Sequence, residues 1–279
     1  MKKIETSLIS KEVERLCIEA ATFIEPDVIK ALRNAKENES GLSKSILEQI
    51  IENDEIATNE FVPMCQDTGI MIVFVEIGNE VFIDGDLNEA INEGVRNGYI
   101  NGYLRKSVVK SPLNRINTKD NTPAIIHIKY SLGDKLKITV CPKGAGSENM
   151  SKVKMLVPAD GILGIKNFVK ETILEAGGRA CPPLVVGIGI GGNLEKAALL
   201  AKEALLRPLD DESDDLDAKK LEKELLKEIN ELNVGPMGLG GKTTALAVKI
   251  NLYPCHIASL PVCVNLQCHA ARHKKVILW

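Results

Sequence analysis

Aromatic residues are scarce in this 279-residue chain, at 4% with one tryptophan, so its core must be built from Ile, Leu, Val and Ala. An excess of one charge is lacking too. The net charge of -3 offers no electrostatic footprint for nucleic acid or an anionic membrane. No segment approaches the roughly 18 uninterrupted apolar residues of a membrane span. The opening Met1-Lys2-Lys3-Ile4-Glu5-Thr6 carries charges with no signal-type apolar core behind it. The chain therefore reads as cytoplasmic, with neither membrane nor nucleic acid as partner.

Compact cysteine runs are also missing. Electron-transfer proteins collect ligands in C-x₂-C-x₂-C runs that close every iron. Here the nearest pair, Cys263 and Cys268, has four residues between its members. The familiar zinc pairs are absent as well. Yet there are seven cysteines, and in the cytoplasm an odd count of seven points to metal or buried thiols rather than disulfides. Three lie at the edges of short polar or Gly/Pro-rich motifs: Cys65 in Pro63-Met64-Cys65-Gln66-Asp67-Thr68-Gly69, Cys181 in Cys181-Pro182-Pro183, and Cys268 in Gln267-Cys268-His269-Ala270-Ala271-Arg272. Wide spacing suits a cluster in a cleft, where three thiolates on four irons leave one iron open as a Lewis acid. Spacing alone does not select three ligands from seven.

Periodicity gives the elements. Val13, Leu16, Cys17, Ala20, Ala21 and Ile24 repeat at helical spacing, followed by Val28, Ile29 and Leu32 and then Ile46, Leu47, Ile50 and Ile51. The first sixty residues are thus expected to be helical, with Cys17 a core residue. Ile70 to Ile77 is a continuous apolar strand expected to be buried on both faces. Helix is expected again over Leu87 to Leu104. The runs 124–130 and 135–140, separated by Leu132-Gly133-Asp134, predict a hairpin. Pro142 to Asn149 is too glycine-rich for regular structure. Ile162 to Ala176 reads as helix stopped by Gly177-Gly178, Leu184 to Ile190 as strand, and Leu194 to Leu206 as helix. An acidic stretch then leads into a charged helix ending near Leu232. No internal repeat and no linker are visible. The expectation is one domain over residues 1–279, α/β with α+β character: mixed sheets flanked by helices behind a helical N-terminal segment.

Two motifs imitate nucleotide sites and fail. Gly187-Ile188-Gly189-Ile190-Gly191-Gly192 fits G-x-G-x-x-G, but no second strand with an acidic end follows about 20 residues later. Close helix–strand packing is the reading it leaves. Gly240-Gly241-Lys242-Thr243-Thr244 would need glycine at 236 to be a phosphate loop, and that residue is Pro236.

The motif around Cys65, Lys143-Gly144-Ala145-Gly146-Ser147-Glu148-Asn149, Cys181-Pro182-Pro183 and Gly238-Leu239-Gly240-Gly241-Lys242-Thr243-Thr244 together resemble the class I fumarases and the related L(+)-tartrate dehydratases. The likeness runs over nearly the whole chain in order, and covers only the cluster-binding half of that family. It implies the alpha subunit of a hydro-lyase interconverting (S)-malate and fumarate, or converting L(+)-tartrate. A beta subunit would complete the site, in an assembly such as two alpha and two beta. It further implies that Cys65, Cys181 and Cys268 ligate a [4Fe–4S] cluster with one open iron. Gln66, Arg105 and the loop around Gly146 would contact a dicarboxylate substrate, and Asp67 and His256 would serve catalysis. Cys141, Cys255 and Cys263 match no ligand position. Lys242 and the segment after Cys268 depart from the commonest family forms.

The residue types suit that chemistry. Hydroxide is a poor leaving group because water's pKa is about 15.7, and metal coordination lowers it by many units. A guanidinium grips a carboxylate bidentately, as Arg105 would. Two other classes stand against this reading: an electron-transfer or redox-sensing module, and a metal-free binding protein. Iron and sulfide content and response to dicarboxylates separate them.

Overall fold

The structure, a computed structural model, describes residues 2–279. The chain divides into two compact units: residues 1–24, 53–144 and 272–279 form the first, and residues 25–52 and 145–271 the second. Among the described residues no helix is long and apolar enough to cross a membrane.

The first unit opens with β1 (Lys2–Glu5) and α1 (Thr6–Thr22), followed by β2 (Ile70–Gly78), β3 (Val81–Asp84) and α4 (Leu87–Asn101). It continues through β4 (Ile125–Ser131) and β5 (Leu136–Lys143) and closes with β10 (Lys274–Leu278). Its main sheet runs β10-β5-β2-β4, and β1 pairs with β3 in a small parallel ribbon. Helix α1 buries Ile9, Val13, Leu16, Cys17 and Ala20 against α4, β5 and β10. Cys17 is a packing residue, as expected; complete burial pushes its thiol well above the ordinary range.

The expected hairpin is not formed. Strand β2 lies between β4 and β5, parallel to the first and antiparallel to the second. An apolar run such as Ile70–Ile77 needs partners on both edges as well as cover on both faces, and the central position supplies them. The connection 131–135 passes over the end of β2, where the N–H groups of Gly78, Asn79 and Glu80 donate to Lys135, Ser131 and Gly133. The all-helical N-terminus also needs amending, because Lys2–Glu5 is a strand.

The second unit contains α2 (Pro26–Asn38) and the first part of α3 (Gly41–Glu60), then α5 (Ala145–Glu148), β6 (Lys152–Leu156) and α6 (Gly161–Ala176). After these come β7 (Leu184–Gly192), α7 (Leu194–Ala204), α8 (Leu216–Asn230), β8 (Ala245–Cys255) and β9 (Leu260–Gln267). The glycine-rich stretch after Lys143 therefore holds one helical turn, α5, where irregular backbone was expected. Helix α6 stops where Gly177 adopts φ 48°. The strand order is β6-β9-β7-β8.

The two units repeat one topology. In each, a central strand (β2 or β7) is flanked by a parallel strand that follows it through a helix (β4 or β8). On the other side lies the next strand in sequence, antiparallel (β5 or β9), with a fourth beyond it (β10 or β6). Even the helix packing corresponds: α1 lies on α4, β5 and β10, and α6 on α8, β9 and β6. No repeat is visible in the sequence because strand order constrains hydrophobic pattern, not residue identity.

The glycine pattern of β7 serves packing, as expected. A Cβ at Gly189 would lie 2.0 Å from the Ala197 carbonyl oxygen of α7. The phosphate-loop mimic leads into strand β8, and its Thr243 N–H is taken by Glu39 Oε1 at 2.6 Å.

Candidate active site

In the first unit the candidate residues gather where the chain enters β2. The Met64 N–H donates to the Ala21 carbonyl at 2.9 Å, and Asn53 Nδ2 donates to the Met64 carbonyl at 2.8 Å. On the far side of Cys65 and Gln66, Arg272 Nη2 donates to the Asp67 carbonyl at 2.6 Å. The Asp67 carboxylate folds back to accept the Gly69 N–H at 3.0 Å. Thr68 Oγ1 donates to the Arg105 carbonyl at 2.7 Å, fixing the Arg105 loop to this segment. The buried Tyr99 hydroxyl donates to the Thr68 carbonyl at 2.5 Å, and Asn121 Nδ2 to the Gly69 carbonyl at 3.1 Å.

Gly69 is required here twice over. Its φ is +74°, and a Cβ would sit 2.6 Å from the main chain of Lys143. A Cβ at Gly144 would likewise come within 3.0 Å of Asp67 Oδ2. The end of β5 thus abuts Asp67. Gln66 and Arg105 are exposed, while Cys65 and Asp67 are half-buried. The first unit therefore brings Cys65, Gln66, Asp67 and Arg105 together.

In the second unit the corresponding place is the entry to β7. Cys181 follows a 3-10 turn (Gly177–Ala180) with φ 53°, a left-handed conformation that costs a non-glycine residue about 1–2 kcal/mol. Its carbonyl accepts the His269 N–H at 3.2 Å, and the Pro182 carbonyl accepts the Met237 N–H at 2.8 Å. Cys268 follows the last residue of β9, and Gln267 is paired with Val185 near the start of β7. The ladder and the His269–Cys181 bond thus bring the segments of Cys181 and Cys268 to the same end of the sheet. A Cβ at Gly146 would lie 3.2 Å from the Arg179 carbonyl oxygen, so the glycine loop borders the same turn. By topology, Cys65 and Cys181 hold equivalent positions, each before a central strand.

His256 is not brought there. It sits at the exposed tip of the β8–β9 connection, where its Nδ1 accepts the Ala258 N–H at 3.1 Å. The eight residues of β9 separate that tip from Cys268, about 26 Å of strand. His256 instead lines a separate cleft of about 500 Å³ with Gly192, Lys196, Tyr253 and Cys255.

Burial sorts the seven thiols, none of which forms a disulfide. Cys17, Cys141 and Cys263 are buried, and burial pushes Cys263 up to about 11. Cys255 is exposed. Cys65, Cys181 and Cys268 alone are intermediate. Ligands of a solvent-facing cluster need that condition: accessible enough to ionise and meet iron, yet held by their surroundings. Thiols of that exposure have the chemistry of iron–sulfur ligands. Among the described residues no three His, Cys, Asp or Glu side chains are arranged to hold a metal ion.

Sequence reasoning missed Asn53, Asp54, Tyr99 and the role of Arg272. Asp54 lies seven residues after Leu47 and four after Ile50, so an acid on an apolar helical stripe was the available signal.

The family model for fumarate hydratase (Fumerase) matches residues 10–277. A putative L(+)-tartrate dehydratase subunit alpha of Methanocaldococcus jannaschii is 50% identical over 272 residues, covering 95% of both chains. The L(+)-tartrate dehydratase subunit alpha of Escherichia coli K12 is 30% identical over 263 residues, 92% of this chain and 86% of that one. Its counterpart in Escherichia coli O157:H7 is 31% identical with the same coverage. The chain belongs to the fumarate hydratase (Fumerase) family and is an enzyme chain of the hydro-lyase class.

Proposed function

We propose that this chain is the cytoplasmic alpha subunit of a [4Fe–4S] hydro-lyase that interconverts (S)-malate and fumarate, with its two units acting as one module. The observation that carries the reading is the sorting of the thiols, in which the three of intermediate exposure are those the family pattern selects. Cys65, Cys181 and Cys268 would hold the cluster, which when bound would supply Lewis-acid chemistry at the substrate hydroxyl.

The chain's own residues bind and orient the substrate. Arg105, exposed beside the Thr68 segment, takes the distal carboxylate in a bidentate grip. The Gln66 amide supplies a donor and an acceptor to the substrate's oxygens. Main-chain N–H groups around Gly146 add donors without bulk. Asp67, held by the Gly69 N–H, orients a hydroxyl of the beta subunit that abstracts the C3 proton. His256 has no part in this assignment, because the second unit places it at the other end of β9.

A beta subunit completes the enzyme, in an assembly of two alpha and two beta. The partner is supported by relatives that are themselves named alpha subunits. Seven cysteines without a disulfide support the reducing compartment. A second reading takes L(+)-tartrate as substrate, and the names of those relatives favour it. The substrates differ by one hydroxyl, a difference that a few pocket contacts decide.

The deciding experiment co-expresses the chain with its beta partner, reconstitutes iron and sulfide without oxygen, and offers (S)-malate, fumarate and L(+)-tartrate separately. Turnover of malate and fumarate supports the first reading and turnover of tartrate the second. Silence on all three, with iron and sulfide bound, overturns both.

A further inference from the structure

A four-residue turn cannot aim its own main chain. Helix α5 (Ala145–Glu148) is too short for its internal hydrogen bonds to fix it. It exposes Ala145 and Gly146, while Ser147 is buried. What grips the buried side is a polar cluster supplied by α7 and β9. Lys202 Nζ donates to both Glu148 carboxylate oxygens, at 2.6 and 2.7 Å, and Asn265 Nδ2 donates to Glu148 Oε2 at 2.9 Å. The same amide nitrogen donates to Ser151 Oγ at 3.0 Å. That hydroxyl in turn donates to the Ser147 carbonyl at 3.2 Å and accepts the Leu266 N–H at 3.0 Å.

Asn265 shows that this cluster does more than fill space. It is 4% exposed, and its Oδ1 has no partner among the described residues, although the amide nitrogen makes two bonds. A buried acceptor left alone lowers stability. Cys263, on the same face of β9, packs on Ala197 and Ala201 of α7, so an apolar residue at 265 would suit these surroundings. The amide is therefore there for its two donations, to Glu148 and to Ser151. Lys202 has a second effect: its ammonium neutralises a carboxylate at the end of a turn that is to receive an anion.

We propose that Asn265 and Lys202 are positioning residues that tie the Gly146 turn, through Glu148 and Ser151, to the strand leading into Cys268. The inference rests on reading the Gly146 turn as substrate-binding. Strand β9 ends at Gln267 and Cys268 follows it, so a single strand both carries that thiol and holds the turn. Neither Asn265 nor Lys202 is a catalytic residue; both act through the main chain of the turn.

The first test uses the metal-free full chain and needs no enzymatic activity. Amide hydrogen exchange, read by mass spectrometry, should be about tenfold faster over residues 145–151 in Asn265→Leu and in Lys202→Met, with α8 unchanged. Lys202→Arg should restore most of the protection, since a guanidinium also spans both carboxylate oxygens. The second test uses enzyme assembled with the beta partner. Asn265→Leu should raise KM for the dicarboxylate about tenfold with kcat changed less than threefold, because a displaced binding turn loses ground-state and transition-state contacts alike. Lys202→Met should do the same. Adding Glu148→Gln removes the stranded charge, keeps an oxygen for Asn265, and should recover about threefold of that loss.

Unchanged exchange over 145–151 in both single variants overturns the proposal. Equal acceleration in α8 does so as well, because it marks global loosening. Local acceleration with KM unaltered would make the cluster a fold element with no part in binding, which also overturns it. Should Asn265→Leu fail to fold, Lys202→Met and its partial rescue decide. Local acceleration in an enzyme silent on every dicarboxylate would keep the tether and remove the hydro-lyase reading instead.

Discussion

The Thr68 hydroxyl donates to the Arg105 carbonyl across 2.7 Å, joining two segments 37 residues apart in sequence. Thr68 is itself 2% exposed and lies between the Asp67 turn and Gly69. One buried hydroxyl thus sets where the Arg105 main chain stands relative to Gln66 and Asp67.

Thr68→Val keeps the shape and removes that donor. It is expected to cost about 1–2 kcal/mol in stability, because the Arg105 carbonyl loses its partner. With Arg105 displaced, KM for the dicarboxylate should rise severalfold while kcat changes less, the pattern of lost uniform binding. Steady-state kinetics of the assembled enzyme check this. A change confined to kcat would argue that Arg105 acts elsewhere.

Serine in place of Cys65, Cys181 or Cys268 should each abolish iron and sulfide retention under anaerobic purification, since a hydroxyl is a far poorer ligand for iron than a thiolate. Cys17→Ser should retain both and lose about 1–3 kcal/mol of stability, because it puts a hydroxyl into the apolar contact of α1 with α4. Iron and sulfide analysis and a melting curve read the two effects separately.

Gly189→Ala tests the packing reading of the glycine-rich strand. Its Cβ would meet two main-chain atoms of α7, the Ala197 carbonyl oxygen at 2.0 Å and the Ala201 nitrogen at 2.6 Å. Backbone cannot yield as a side-chain tip can, so a loss of about 3 kcal/mol or more is expected. Denaturant unfolding measures it; a near-neutral result would contradict the close approach of β7 and α7.

Asp54 gives a pH dependence. Burial pushes its pKa from 3.8 up to about 6, helped by the Glu55 charge, while Asn53 and the Arg272 charge pull it down. Between those values the folded chain binds the proton more tightly than the unfolded chain. This group's contribution therefore favours folding at low pH and is lost as pH rises through about 6, on the order of 3 kcal/mol across the window. Melting curves from pH 4 to 7 should show wild type falling relative to Asp54→Asn. Parallel curves would mean that Asp54 ionises normally.

The elements were largely legible, because α1, β2, α6, β7 and α8 each carry a clean period or a glycine stop. Their pairing was not. A hairpin of 124–130 with 135–140 is the nearest local solution, and only the demand of β2 for two neighbours, from some fifty residues upstream, displaces it. Within the site, the segment around Cys65 and the fate of Cys17 were readable from motif and stripe. The selection of ligands came through resemblance, since the half-exposure that distinguishes Cys65, Cys181 and Cys268 exists only after folding. His256 shows the converse: twelve residues from Cys268 in sequence looks near, but an extended strand makes it far.

The interleaving of the two units has a consequence for synthesis. Strand β10, which pairs with β5, is made only after residues 145–271 have emerged. Until then β5 presents an unzipped row of N–H and C=O groups to other nascent chains. Lys137 and Thr139 place polar side chains along that strand during the interval, the kind of residue that discourages misdirected edge pairing.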